Sequence, residues 1–250
     1  MSDVLQTQKL SKSWGGFHAL SKVDFSMEHG ARHALIGPNG AGKTTFINLL
    51  TGVFAPTSGD VLLNGERITG LAQHHRVKRG MTRTFQINTL FPGLTVLESV
   101  LLAVCERKGT AADWRRTVAA CSEEIGEAME ILRGLQLEPH ADTLTRKLPY
   151  GHQRLLEIAL SLATQPSVLL LDEPAAGIPS AESMQLFEVI ARLPSHVSIL
   201  FIEHDMDLVF RFAERITVLV AGRILVQGTP DEIAADQRVR EIYLGEPVHG

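Results

Sequence analysis

Eight consecutive residues limit this chain more than any others: Gly37-Pro38-Asn39-Gly40-Ala41-Gly42-Lys43-Thr44. They follow the apolar run Ala34-Leu35-Ile36 and lead into residues 44–50, which read as helix. This is the strand, G-x-x-x-x-G-K-[ST], helix arrangement of a phosphate-binding loop. Its glycines let the backbone turn tightly so that successive N–H groups face inward, and the helix that follows presents its positive end to an anion. Lys43 supplies a point charge for the β- and γ-phosphates of a nucleotide, and the Thr44 hydroxyl suits a Mg²⁺ ligand.

A second motif lies far downstream. Val168-Leu169-Leu170-Leu171 runs straight into Asp172-Glu173, which places two carboxylates at the end of a buried strand, where α/β sheets bind their ligands. The pair divides labour: Asp172 suits Mg²⁺, and Glu173 suits the polarisation of an attacking water as general base. The apolar runs at 167–171 and 198–202 do not alternate, as expected of parallel strands covered on both faces, with a helical stretch at 181–193 between them.

Elsewhere the pattern predicts short strands separated by turns over residues 4–36, and a strand at 60–64 closed by Asn64-Gly65. Helix formers dominate residues 94–148, with Cys105 and Cys121 as buried small residues in no disulfide framework. The stripe Leu155, Leu156, Ala159, Leu162 and Ala163 faces a core. Residues 216–220 and 224–227 form a hairpin, and 231–244 a final helix. His74, His75, Arg76 and Lys78 read as a solvated basic turn. The 250 residues are 44% hydrophobic and 21% charged, ordinary globular usage for one large domain. A net charge of -4 argues against a dedicated nucleic-acid binder. The polar amino terminus carries no secretory signal, and no apolar run approaches the roughly 18–20 residues of a membrane span, so a cytoplasmic protein is expected.

With both motifs in place, the sequence resembles the nucleotide-binding domain of ABC transporters over nearly its whole length. Trp14 matches the aromatic position that stacks on adenine. Gln86, in Thr84-Phe85-Gln86, matches a glutamine that senses Mg²⁺ and the γ-phosphate. Leu148-Pro149-Tyr150-Gly151-His152-Gln153-Arg154 matches the signature segment, which in this family caps the ATP held by the other subunit, and His204 matches the histidine that contacts the γ-phosphate.

The resemblance implies a P-loop NTPase of the ABC type, with an amino-terminal antiparallel β subdomain and an inserted α-helical subdomain. The α/β core then spans 1–93 and 149–250, and the helical lobe 94–148. ATP would be bound by Trp14, by Gly37, Pro38, Asn39, Gly40, Ala41, Gly42, Lys43, Thr44 and Thr45, and by Tyr150, Gly151 and His152. Mg²⁺ would be held by Thr44, Gln86 and Asp172, with Glu173, His204, Gln86 and Lys43 in the hydrolytic chemistry.

Two departures stand out. Pro149 and Tyr150 occupy the serine and first-glycine positions of the usual signature, so a hydroxyl contact to phosphate is missing, while backbone N–H groups around Gly151 can still face an anion. Pro179 stands where many relatives carry aspartate. These departures, with Ala175-Ala176-Gly177, Ile202-Glu203-His204-Asp205-Met206 and Tyr243-Leu244-Gly245-Glu246, resemble the larger ATPase of branched-chain amino acid importers. Importers of urea, short amides or aromatic acids look similar, and lipid or polysaccharide exporters use the same motor. The implied partners are a second ATPase subunit or a second copy, integral membrane permeases docked near residues 87–96, and a periplasmic or extracellular substrate-binding protein, at the cytoplasmic membrane face. A soluble cassette acting on ribosomes or nucleic acid would carry tandem cassettes, coiled-coil insertions or basic extensions, which this acidic sequence lacks.

Overall fold

A computed structural model of the chain describes residues 3–84, 90–110 and 121–244. The chain divides into two compact units, one of Met1–Met81, Ser167–Pro174 and Ser195–Gly250, the other of Thr82–Pro166 and Ala175–Pro194.

The first unit holds two sheets. In one, β1 (Asp3–Trp14), β2 (Phe17–Glu28), β4 (Ser58–Leu63) and β5 (Glu66–Arg67) pair antiparallel in the order β2-β1-β4-β5. Of the short strands expected over residues 4–36, those up to residue 28 are instead two 12-residue strands, and only residues 32–36 form a short one. The β1–β2 register slips between Thr7 and Leu10 and again between Leu10 and Lys12, and Lys9 has φ 48°. Such bulges interrupt the inside–outside alternation by which a long strand is recognised. Asn64 (φ 51°) and Gly65 (φ 78°) both adopt the left-handed conformation that a tight hairpin turn between β4 and β5 requires.

The other sheet has the order β10-β9-β3-β8-β7-β6, from β3 (Arg32–Ile36), β6 (Met81–Arg83), β7 (Val168–Asp172), β8 (Ser198–Ile202), β9 (Arg215–Val220) and β10 (Arg223–Gly228). Strand β3 lies parallel to both β8 and β9, and β7 is parallel to β8. Every residue of β3 and β8 is buried, which is why residues 34–36 and 199–202 run apolar without alternating. The carboxyl ends of β3, β7 and β8 therefore point the same way, and each delivers a chemically distinctive residue to one edge.

Helix α1 (Lys43–Thr51) follows β3. Its last carbonyls are satisfied by an unexpected residue. Within α2 (Gln73–Lys78), His74 and His75 are exposed as the solvated reading requires, but Arg76 is only 1% exposed. Its Nη1 donates to Leu49 O at 2.7 Å and Leu50 O at 2.6 Å, and its Nη2 donates to Thr69 O at 2.7 Å. A buried guanidinium thus closes the helix end, where backbone acceptors otherwise lack partners. The helix expected over 231–244 is broken into α8 (Pro230–Ala235) and α9 (Gln237–Leu244). Asp236 sits extended between them, and its side chain accepts from the Arg238 N–H at 2.9 Å.

In the second unit, α3 (Val96–Lys108) opens with a reciprocal cap between Thr95 and Glu98. It packs on α4 (Ser122–Gly134), which with α5 (Tyr150–Leu162) and α6 (Ser180–Ala191) makes this unit helical. Arg107 pairs with Glu127 and donates to Ala163 O at 2.8 Å. Cys105 and Cys121 form no disulfide among the described residues and are half-buried, not fully buried as their helical setting suggested. Among the described residues, no helix is long and apolar enough to cross a membrane.

The core of the first unit encloses one titratable ring. His33, on β3, is 1% exposed, lies 5.0 Å from the Phe25 ring and bonds through Nε2 to Thr217 Oγ1 at 2.8 Å. Burial pushes its imidazole down to about 3, and the charge of Arg215 adds to the effect. The folded value lies below the unfolded one, so this contribution to stability is fully present above the unfolded pKa and is lost as pH falls towards the folded one. In urea unfolding between pH 6 and pH 4, His33→Gln is expected to flatten the acid-induced loss of stability by up to about 1.4 kcal/mol per pH unit relative to the unmodified chain. Parallel pH profiles for the two proteins would refute this.

Candidate functional site

The residues joining β3 to α1 form the loop that the sequence marks as a phosphate cradle. Its shape is imposed by close backbone approach. A Cβ at Gly37 would overlap the carbonyl oxygen of Leu219 on β9, and one at Gly42 (φ +104°) would lie 2.8 Å from Ala19 O and 2.9 Å from Leu20 Cδ2 on β2. Gly40 (φ +78°) has nothing within 4 Å of its Cβ position. Gly37 and Gly42 are thus pressed against neighbouring strands, while Gly40 stands at the open side with Asn39 and Thr44, both exposed. Pro38 and Thr45 are half-buried. Ala41 N–H donates to Pro38 O at 3.1 Å, and Ala41 O accepts from Gly222 N–H at 2.9 Å. In sequence, Gly222 is one of the residues between the two arms of the hairpin at 216–220 and 224–227. It braces the loop as well, and a Cβ there would lie 2.5 Å from Ala19 O. The signal that would have found it is a glycine held by a tertiary contact as well as by its turn, which no local pattern reveals.

Lys43, the first residue of α1, is buried, and its Nζ donates to Gly37 O at 2.6 Å and Pro38 O at 3.2 Å. Burial lowers its pKa, while the negative charges of Glu173 and Asp172 raise it. That opposition locates both carboxylates within the field of the ammonium. Asp172 ends β7, and Glu173 follows in the left-handed region with φ 50°, its N–H donating to Ile202 O at 3.0 Å. A non-glycine residue in that conformation is strained and persists only where its surroundings fix it.

From the end of β8 comes His204, whose Nε2 lies 2.6 Å from Glu173 Oε1. A carboxylate can only accept, so the imidazole carries its proton on Nε2 and donates it to Glu173. The next residue, Asp205, caps α7 (Met206–Phe212) by accepting from the N–H groups of Asp207 at 3.0 Å and Leu208 at 3.3 Å. That cap fixes where the strand ends and therefore where His204 stands. Lys43, Asp172, Glu173 and His204 are brought together at the carboxyl edge of the sheet.

Trp14 lies at the end of β1 in the other sheet. It is 44% exposed, meets Phe54 edge-on at 5.4 Å and carries the Lys12 ammonium 5.0 Å from its ring centroid. It is a surface aromatic and not a core residue. Gln86 lies outside the described residues. The signature residues belong to the second unit. Pro149 immediately precedes α5 without a side-chain cap, and Tyr150 is the first residue of that helix. The Tyr150 hydroxyl lies 3.3 Å from Ala176 O. Gly151 is half-buried, and the His152 ring sits 4.7 Å from that of His140. Burial and the neighbouring His140 lower the pKa of His152, partly offset by Glu182.

The first unit's residues suit a magnesium nucleotide. The loop has glycines at 37 and 42 pressed against neighbouring strands, one cation, and hard oxygen donors in Thr44 and Asp172 of the kind that Mg²⁺ prefers. Because Gly37 is excluded from growing by another strand's backbone and Gly40 only by its own conformation, their alanine variants should differ. Gly37→Ala is expected to destabilise the fold by about 1–3 kcal/mol more than Gly40→Ala, read by denaturant unfolding. Equal losses would show that Leu219 is free to yield.

The family model described as "ABC transporter" matches residues 20–176. A second, "Branched-chain amino acid ATP-binding cassette transporter", matches residues 223–249. The high-affinity branched-chain amino acid transport ATP-binding protein LivG of Escherichia coli (strain K12) is 40% identical, over 97% of this chain and 98% of that protein. BraF of Pseudomonas aeruginosa, with the same description, is also 40% identical over the same shares. The crystal structure of the ADP conformation of an ATP-binding cassette of an ABC transporter superposes with a TM-score of 0.86 at 30% identity, covering 98% of this chain and 100% of that one. By these matches the expected P-loop architecture, with its antiparallel β subdomain and helical subdomain, is the architecture present, and the chain belongs to the ABC transporter family as one of its ATP-binding cassettes, the ATPases coupled to transport.

Proposed function

We propose that this chain binds Mg-ATP at residues 37–45 and hydrolyses it to power the import of branched-chain or related hydrophobic amino acids. The observation that carries the hydrolytic part is the 2.6 Å bond from His204 to Glu173, made beside Asp172 within the field of Lys43. In this reading Trp14 stacks on the adenine, the loop amides and Lys43 take the phosphates, and Thr44 and Asp172 hold the magnesium, which neutralises phosphate charge when bound. Gln86 adds to that set. Glu173 presents a carboxylate oxygen to the attacking water and accepts its proton. His204 fixes the other oxygen, so that the carboxylate keeps one orientation.

Tyr150, Gly151 and His152 would cap the nucleotide held by a second cassette, through the backbone N–H groups at the start of α5. The second cassette is a related subunit or another copy of this chain. Closure of the pair is favoured by nucleotide contacts and reversed when phosphate leaves, a population shift that follows from differential binding. Residues 94–148 would pass the motion to integral membrane permeases, with this chain peripheral on the cytoplasmic membrane face and a substrate-binding protein outside. The cargo assignment is supported by the match at residues 223–249 and by the names of the relatives, since no residue of a cassette need touch the cargo.

Lys43→Ala should weaken Mg-ATP binding by about 10- to 100-fold through the lost charge-assisted bonds; unchanged affinity in calorimetry would remove the loop from nucleotide binding. Glu173→Gln should keep that affinity and lower steady-state phosphate release by about 100-fold or more, and near-normal release would take Glu173 out of the base role. For cargo, a host lacking this chain should lose high-affinity uptake of labelled leucine, isoleucine and valine. Intact leucine uptake with loss of another solute would overturn the cargo and leave the ATPase assignment standing.

A further inference from the structure

Two features of the second unit's sequence have no local explanation. A tyrosine stands where the family's signature has glycine, and the residues after the acidic pair are the small Ala175-Ala176-Gly177. We infer that they are the two halves of one contact, and that Tyr150 is a positioning residue for ATP turnover: it clamps the turn at residues 175–178, the segment that leads away from Glu173. The inference rests on the ATPase reading and deepens it.

The clamp has three parts. The Tyr150 hydroxyl donates to Ala176 O at 3.3 Å, the long end of the range for such a bond. Its ring lies over Gly177, where a Cβ would come 3.3 Å from the phenol oxygen and 3.6 Å from ring carbons. Gly177 has φ +78°, so the backbone favours glycine there, and the phenol oxygen leaves a side chain little room. The tyrosine is itself held from behind. Arg154, one helical turn on, donates from Nη2 to the phenol oxygen at 3.1 Å, with its guanidinium carbon 5.4 Å from the ring centroid. Arg154 is anchored in turn on the buried carboxylate of Glu157 at 3.0 Å. Tyr150 is therefore the end of a braced arm, although 43% of its surface is exposed.

The clamped turn is narrow. Ile178 N–H donates to Ala175 O at 3.1 Å, and Ser183 Oγ donates to Ile178 O at 3.2 Å from α6. Ala176 is three residues beyond Glu173 in sequence, and Glu173 keeps a left-handed conformation that relaxes unless the chain is constrained on both sides of it. On the amino side β7 and the bond to Ile202 O supply the constraint; on the carboxyl side the clamp does. The proline at 149 fits this role, since its fixed φ of -55° sets the direction in which α5, and with it Tyr150, begins.

The test uses the full-length chain with Tyr150→Phe, Gly177→Ala and the double variant. Tyr150→Phe keeps the ring and removes only the hydroxyl. Each single variant is expected to lower kcat by about tenfold with KM for Mg-ATP changed by less than about twofold. Each should also speed hydrogen exchange of the Ile178 amide. The double variant should be no worse than the poorer single one, as befits two halves of one contact. Unchanged kcat and Ile178 exchange in both single variants would overturn the proposal. So would a raised KM at constant kcat, which would put the Tyr150 hydroxyl, and not its backbone N–H alone, on the nucleotide, or additive losses in the double variant. Should the unmodified chain show no turnover, the ATPase reading fails by itself, and the exchange measurement still decides whether Tyr150 holds the turn.

Discussion

The whole site depends on backbone meeting backbone at Gly37. The loop leaves β3 in the one place where the Leu219 carbonyl excludes any side chain, and Gly42 repeats the constraint against Ala19. A loop fixed in this way does not rely on its own side chains for shape. The parallel pairing of β3 with β8 and β9 supplies the rigid frame behind it. From the same frame come Asp172 at the end of β7 and His204 beyond β8, so three strand ends place a cation, two carboxylates and an imidazole together, with Glu173 held in the left-handed region.

What the sequence makes legible follows from that geometry. The glycine spacing and the lysine are readable because a phosphate cradle needs small residues and a cation at fixed intervals in sequence, and the Asp172-Glu173 pair is readable because an apolar run fully buried on both faces announces its own end. The β1–β2 hairpin is harder. Bulges at Lys9 and near Leu10 break its alternation, so two long strands read as several short ones. The break between α8 and α9 is hidden for a different reason, since Asp236 interrupts a run of good helix formers by bonding to the backbone of Arg238.

Other features are illegible in principle. Arg76 reads as one charge in a basic turn, yet it sits under α1 and satisfies four backbone carbonyls, those of Leu49, Leu50, Thr69 and Leu71. Nothing in its neighbours in sequence distinguishes it from Lys78. Gly222 and Tyr150 belong to the same class. Each answers a demand set by residues far along the chain, Ala41 in one case and Ala176 in the other, and pairwise demands of that kind appear only once the chain is folded.

The brace between Gly222 and Ala41 orders events in time as well as in space. Strand β3 leaves the ribosome early, but its neighbours β8 and β9, and the hairpin tip that holds Ala41, are made some 160 to 180 residues later. A nascent chain carries its phosphate loop for most of translation without the elements that give the loop its shape. The bracing of the loop therefore arrives nearly last during synthesis, and a chain released anywhere before its closing hairpin holds the full motif without the contact that braces it.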